Sequence, residues 1–338
     1  MKKHTGLLLA LALIFVFTGS FSASAAPLSI RLAFDSPSAP GNTYNELAKQ
    51  YKKEVEEASK GSIIIEVFSD GQLGSERENF EAVQMGTLDM SVISNASIGA
   101  FSPFTIAIDL PFMFPGRDAA HAALDGPAGQ AIVKAVEAST GVKSLAFGEA
   151  GFRHMITNKT GIRKVEDMAG LKIRTMENEM YVSTYKLIGA NSVPMAWGEV
   201  LSGLQQGTID GLDGPIMLII SAKLHDLTKY LSLTGHFYNA LQLIVNGSFY
   251  AKLTPEQQEI LASCAKKAAA SQRAILVENE GAWIEDLKAK GMEVIPASEI
   301  SLSALGDRVE EIYTTYAKQI GGTYVQDLRE AAKAAARP

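Results

Sequence analysis

The sequence predicts an α/β protein made of two similar units. Strand and helix patterns alternate as β-α-β-α-β between residues 28 and 94, the same grammar returns after residue 150, and one long helical pattern near residue 255 outreaches either unit.

In the first unit "LSIRLAF" (28–34) is a strand. The helix that follows keeps Tyr44, Leu47, Ala48, Tyr51, Val55 and Ala58 on one face, with Gly61 at the place of a C-terminal cap. "IIIEVF" (63–68) is the second strand. Ser75 and Glu78 form a capping box that opens a short helix ending near Gly86, and "LDMSVIS" (88–94) is the third strand. This alternation calls for a mainly parallel sheet flanked by helices.

The second unit reads in the same way. "FRHMIT" (152–157), "LKIRT" (171–175), "SVPM" and "IDGLDG" are strands, separated by helical "YVSTYKLIG" and "WGEVLSGLQQG". Between 229 and 247 two strand-like runs cross between the units. Thr254 as N-cap, Pro255 at N1 and Gln257 at N3 open a helix that runs to about Gly291, roughly 50 Å at 1.5 Å per residue, long enough to brace both units. No low-complexity linker interrupts the chain, so several crossings tie the units together.

Residues 1–25 read as a cleaved signal peptide: basic "MKKH", an uncharged run from Leu7 to Phe17, and Ala23-x-Ala25 as the cleavage site. Cleavage removes Lys2 and Lys3 and no acid, taking the formal charge from -6 to -8. No later stretch has 18 consecutive apolar residues. A mildly acidic exported protein is a poor match for nucleic acid or an anionic membrane. Cys264 is the single cysteine, so no internal disulfide forms; on its helical pattern it reads as a small buried hydrophobe.

The motifs of common catalysis are missing. The histidines show no metal-ligand spacing, and there is no G-x-S-x-G elbow, phosphate-binding glycine loop or G-x-G-x-x-G after the first strand. Asp210 and Asp213 lack the repeated oxygen donors of a calcium loop. An exported two-unit α/β chain with no catalytic constellation and no cofactor signature is most simply a receptor that holds a small molecule between its units. An exported enzyme is the competing class, and a sensor module presenting its ligand to a membrane receptor is a third.

Arg174 is the awkward member of "LKIRT". Period-two alternation sets it opposite Leu171 and Ile173 or at the strand's end, where open α/β sheets bind ligands; a solvated surface charge is the alternative.

Six blocks, "GQLGSERENFEAVQMGTLDM", "AIDLPFMF", "GFRHMITNK", "GLKIRTMENEMY", "LIGANSVPMAWGEVLSGLQQGTIDG" and "KYLSLTGH", resemble in order and spacing the solute-binding proteins of tripartite ATP-independent periplasmic (TRAP) transporters. The resemblance covers nearly all of the mature chain. It implies a periplasmic-binding-protein-like fold whose two domains close over an organic acid and deliver it to a membrane permease pair. The expected division is domain I from 26–150 with about 240–278, and domain II from 151–239 with about 279–338. A periplasmic monomer is the family expectation.

The resemblance makes Arg174 the carboxylate anchor, a role for which its planar fork suits it better than lysine. Arg153 looks like a second ligand-facing arginine, with an ion pair inside the cleft as the alternative. Trp197 resembles the aromatic wall over the ligand, unless it is core. Asn95 is preferred over Ser94 as a polar contact from the third strand, and Glu76 either faces the cleft or serves the helix dipole. "DGLDGP" departs from the family's "DGQENP": Asp213 replaces a glutamate, and Gly214 replaces an asparagine that commonly contacts ligand. With Phe152, Trp197 and Tyr238 expected nearby, this favours a monocarboxylate with an apolar or aromatic tail over a dicarboxylate or sugar acid.

Overall fold

The computed structural model describes residues 26–302 and 306–336; the signal-peptide reading of 1–25 lies outside the described residues. The strands are β1 (Leu28–Ala33), β2 (Ile63–Phe68), β3 (Met90–Ser94), β4 (Val142–Thr157), β5 (Lys172–Thr175), β6 (Asn191–Pro194), β7 (Gly211–Gly214), β8 (Tyr230–Asn246) and β9 (Glu293–Ile295). They form one sheet in the order β2-β1-β3-β8-β4-β7-β5-β6, with β9 beside β8.

Each unit is parallel at its outer edge. β1 pairs parallel with β2 and β3, and β5 pairs parallel with β6 and β7. β4 and β8 join the units as a long antiparallel ribbon, from Val142 opposite Asn246 to Thr157 opposite Tyr230. The two runs read between 229 and 247 are thus one strand, and 152–157 is only the far end of β4. The ribbon's register shifts between Ser144 and Ala146, Glu149 and Gly151, and Arg153 and Met155. Such irregularities bend and twist a strand, which lets one pair of strands serve two differently oriented halves.

Helix α1 (Thr43–Ala58) buries Tyr44, Leu47, Ala48, Tyr51 and Val55 as its periodicity requires. Helix α2 (Glu76–Met85) has the Ser75–Glu78 capping box and ends on left-handed Gly86. The long helix covers Pro255–Ala289, opened by the Thr254–Gln257 capping box. It packs on α1 and β4 at one end and on the helix Ile216–Ser221 and β9 at the other.

Polar bonds pin that brace to the middle of the ribbon. Gln272 donates to Glu149 O (2.6 Å) and accepts from Glu149 N (2.9 Å). Arg273 pairs with Asp125 at 2.6 and 3.0 Å and donates to Phe147 O. Cys264 is buried in the apolar layer between α1 and the helix, as its pattern implies. The terminal helices Gly306–Ile320 and Tyr324–Ala335 extend the core beyond what the sequence reading covered; the last packs on the helix Arg117–Asp125.

Candidate functional site

The parallel strands of both units end on the same cavity, because the ribbon sets their carboxyl ends face to face. Asp35 and Ser36 follow β1, Ser97 follows β3, Met176 and Glu177 follow β5, and Met195 to Trp197 follow β6. The first turn of α2 adds Glu76 and Arg77, α1 adds Tyr44, and β8 adds Asn239. The cavity encloses about 630 Å³ including its mouth. This is the position where open α/β sheets hold ligands.

Arg174 lies on its wall, 5% exposed. Its Nε and Nη2 both donate to Met195 O, at 2.9 and 2.7 Å, so the backbone after β6 fixes the guanidinium's plane. The Trp197 ring lies 6.0 Å away. Among the described residues no carboxylate comes within ion-pair distance of Arg174. Burial, followed by the like charge of Arg153, pushes its pKa down to about 10, while Asp213, Glu76 and Asp35 act in the opposite direction. A buried cation that is short of counter-charge is set to receive an anion.

Arg153 differs. Its Nε sits 2.5 Å from Asp213 Oδ2, and its Nη2 bonds both Oδ1 (3.0 Å) and the Asp213 carbonyl (2.7 Å). Burial alone would lower its pKa, but the attraction of Asp213 outweighs that and leaves it above the usual arginine value. Burial alone would raise the Asp213 pKa, but Arg153, joined by His236 and Arg174, holds the carboxyl below its usual range. Arg153 thus lines the cavity and is also one half of an ion pair.

Glu76 lines the cavity and stands in the first turn of α2. Its Oε1 accepts from Tyr44 Oη (3.0 Å) and Ser94 N (2.7 Å) while Oε2 accepts from Ser97 Oγ. Burial, reinforced by the charge of Glu76, holds the neighbouring Asp35 carboxyl well above its ordinary value. Trp197 lines the cavity and is only partly buried, so it is wall more than core.

Five expected residues do not line the cavity: Asn95, Phe152, Tyr238, Gly214 and Asp213. Asn95 is turned away, bonded to Thr105 O, Asp109 and Gln242, which fills its amide. Its neighbour Ser94 bonds Asn239, a cavity residue, at 2.7 Å. Phe152 and Tyr238 stack edge to face at 5.3 Å within the large apolar core. Gly214, on β7, faces Ile156 and Leu218. Asp213 contributes through Arg153 and not at the cavity wall. Sequence reasoning passed over Asp35, Tyr44, Ser97 and Asn239; Asp35, directly after a parallel strand, carried a usable signal.

Fold and cleft together define a two-domain binding protein with its ligand site between the domains. The family model for bacterial extracellular solute-binding protein, family 7, matches residues 35–319, and the chain belongs to that family. A solute-binding protein of Verminephrobacter eiseniae is 37% identical over 281 residues, 83% of each chain. The 2,3-diketo-L-gulonate-binding periplasmic protein YiaO of Escherichia coli is 32% identical, covering 89% of this chain and 92% of its own. Among solved structures, a TRAP periplasmic solute-binding protein from Polaromonas sp. JS666 bound to D-erythronate aligns with TM-score 0.84 at 34% identity, covering 89% of this chain and 98% of that one. One from Xanthobacter autotrophicus Py2 with bound β-D-galacturonate aligns with TM-score 0.83 at 30% identity, covering 90% and 99%.

Proposed function

We propose that this protein captures a small hydroxylated monocarboxylic acid, with Arg174 gripping the carboxylate, and delivers it to TRAP permease subunits in the membrane. The observation that carries the reading is the buried Arg174 guanidinium, fixed by Met195 O and short of an acid of its own. The rest of the wall offers hydroxyl, carboxyl and amide partners, Asp35, Tyr44, Glu76, Ser97 and Asn239, suited to a ligand's hydroxyl groups. The apolar or aromatic tail expected from the sequence leaned on Trp197, Gly214, Phe152 and Tyr238; Trp197 lines the cavity and the other three do not, so the polar groups of the wall weigh more in this reading. The acids bound by the Polaromonas and Xanthobacter proteins are of the proposed kind.

The working unit is a periplasmic monomer exported by a signal peptide cleaved after Ala25. Its two domains, 26–150 with about 240–278 and 151–239 with about 279–338, close on the ligand by flexing the β4–β8 ribbon. Mass spectrometry of periplasmic material tests the export step, with Ala26 as the expected first residue. A thermal-shift screen of aldonates, uronates, pantoate, C4-dicarboxylates and aromatic acids tests the ligand class. A ligand at a hundredfold excess over its Kd adds about 2.7 kcal/mol to stability. Succinate or an aromatic acid as the tightest binder would overturn the hydroxy-acid reading.

A further inference from the structure

We infer that Asn178 and Asn42 form a two-sided clasp, each capping a helix of its own unit while donating a hydrogen bond to the opposite unit across the cavity. Asn178 is the N-cap of the helix Glu179–Leu187: its Oδ1 accepts from Met180 N at 2.9 Å. That fixes the amide's orientation and aims Nδ2 at Ala96 O, 2.7 Å away in the first unit. Asn42 caps α1 in the same way, with Oδ1 accepting from Tyr44 N (3.1 Å) and Asn45 N (3.3 Å). Its Nδ2 donates to Ser36 Oγ at 2.8 Å and reaches Ser221 Oγ of the second unit at 3.4 Å.

The two bridges stand at different edges of the cavity. Asn178 follows Met176 and Glu177 and meets the turn that carries Ser97 and Ala100; Asn42 stands beside Ser36 and faces the helix that carries Leu218. Gly99 supplies an independent sign that the first bridge is built in. A Cβ there would sit 2.5 Å from Asn178 Nδ2, although the backbone at Gly99 (φ -57, ψ -26) suits any residue. The side chain is absent where Asn178 needs room. A cap bond inside one unit survives opening, whereas the bond to the other unit exists only when the cleft is shut. The cap therefore pre-orients the donor, and closure gains the cross-bond without further ordering of the side chain.

This inference rests on the reading of the cleft as a ligand trap, and the test separates the two. Asn178→Ser keeps a good N-cap but is too short to cross; Asn178→Asp keeps the cap and turns the donor into an acceptor facing Ala96 O. Gly99→Ala blocks the bridge by crowding the amide of an unaltered Asn178. Binding of D-erythronate and D-galacturonate is measured by calorimetry and stopped flow, with ligand-free melts and small-angle scattering alongside. Asn178→Ser and Gly99→Ala are expected to weaken Kd about 3- to 10-fold, the worth of one hydrogen bond, mostly through a faster koff, with ligand-free melting unchanged. Asn178→Asp is expected to bind more weakly still and to show a larger ligand-free radius of gyration than the wild type. Affinity within twofold of wild type for both Asn178→Ser and Gly99→Ala overturns the clasp. If neither acid binds the wild type, the ligand reading falls, and the clasp is decided by scattering alone: an Asn178→Asp radius equal to the wild type's overturns it.

Discussion

Arg153 and Asp213 face each other across the β4–β7 seam with Nε 2.5 Å from Oδ2 and Nη2 3.0 Å from Oδ1, an ion pair almost closed to solvent. That pairing separates the two arginines of the cleft. Arg153 is neutralised by the protein, and Arg174, beside it, is not. Their variants should therefore fail in opposite ways.

Arg174→Ala leaves a desolvated ligand carboxylate without its partner, a change that costs about 2–5 kcal/mol in comparable buried pairs. At 1.4 kcal/mol per tenfold, calorimetry should find affinity weakened roughly 30-fold to several thousandfold. Arg174→Lys keeps a charge but loses the planar fork, so it should recover only part of the loss. Ligand-free melting should change little in either variant, since no acid among the described residues forms a direct ion pair with Arg174. A collapsed ligand-free melt would make it a structural residue instead.

Asp213→Asn should do the reverse. It strands the Arg153 charge in a buried site, and breaking one side of such a pair typically costs about 3–5 kcal/mol of stability. Replacing both partners by apolar residues, as in Arg153→Met with Asp213→Leu, should recover much of that loss. Urea unfolding of the two singles and the double decides this. Equal losses in Asp213→Asn and the double would mean that the packing matters and the charge does not.

These contrasts mark what the sequence could carry. Local signals transferred well: the Ser75–Glu78 and Thr254–Gln257 capping boxes and the amphipathic face of α1 stand as read, because each depends on neighbours within a turn. The first half of β4 escaped notice because Glu149 interrupts the run "SLAFGEAG". Its carboxylate is satisfied by Arg117 at 2.7 Å and His121 at 2.6 Å, partners about thirty residues back in the chain. Between Ser94 and Asn95 the sequence offered no pattern to choose by: β3 ends at Ser94 and is buried on both faces, and Asn95 opens the next helix. For Arg174 the pattern alone left a solvated surface charge open, the commoner fate of a strand-end arginine, and only the resemblance singled it out as the carboxylate anchor. Tyr44 and Asn239 were not legible, since a single polar residue on a buried face looks like any other.

Asp109 is wholly buried, bonded through Oδ2 to Asn95 at 2.8 Å and with Oδ1 unpartnered. Burial raises its pKa to about 8. A group raised in the folded state contributes stability that is present below the unfolded carboxyl pKa and is lost as pH rises through the folded value. Asp109→Asn keeps the shape and removes the titration. The variant should therefore gain on the wild type as pH climbs from about 4 to 8, by an amount on the order of a few kcal/mol at the top of that range. Urea midpoints at pH 5, 6.5 and 8 measure it; a constant difference across the three would refute the assignment.

His154 and His236 act in the acid range. Burial drives the first down to about 3, helped by the charges of His236 and Arg117, and the second down to about 4 against the pull of Asp213. Both are neutral in the folded protein at pH 5, whereas an unfolded histidine takes a proton near its ordinary 6.5. At these two sites the unfolded state then binds more protons, so the stability they contribute rises with pH between about 4 and 6.5 and is lost on acidification through that window. Asp109 and Asp35, both raised by burial, oppose this trend over the same range, so the net profile does not isolate the imidazoles and a variant comparison is needed. Neutral His236 bonds Tyr185 Oη and Thr234 Oγ1, both at 2.7 Å, and His154 Nδ1 accepts from Gly235 N at 3.1 Å, so substitution also removes packing and hydrogen bonds. The diagnostic is therefore the slope and not the level: His154→Asn with His236→Asn should be less stable at pH 7 yet lose less between pH 6.5 and 4.5 than the wild type does. Parallel pH profiles for the two proteins would show that neither imidazole is held neutral by the fold.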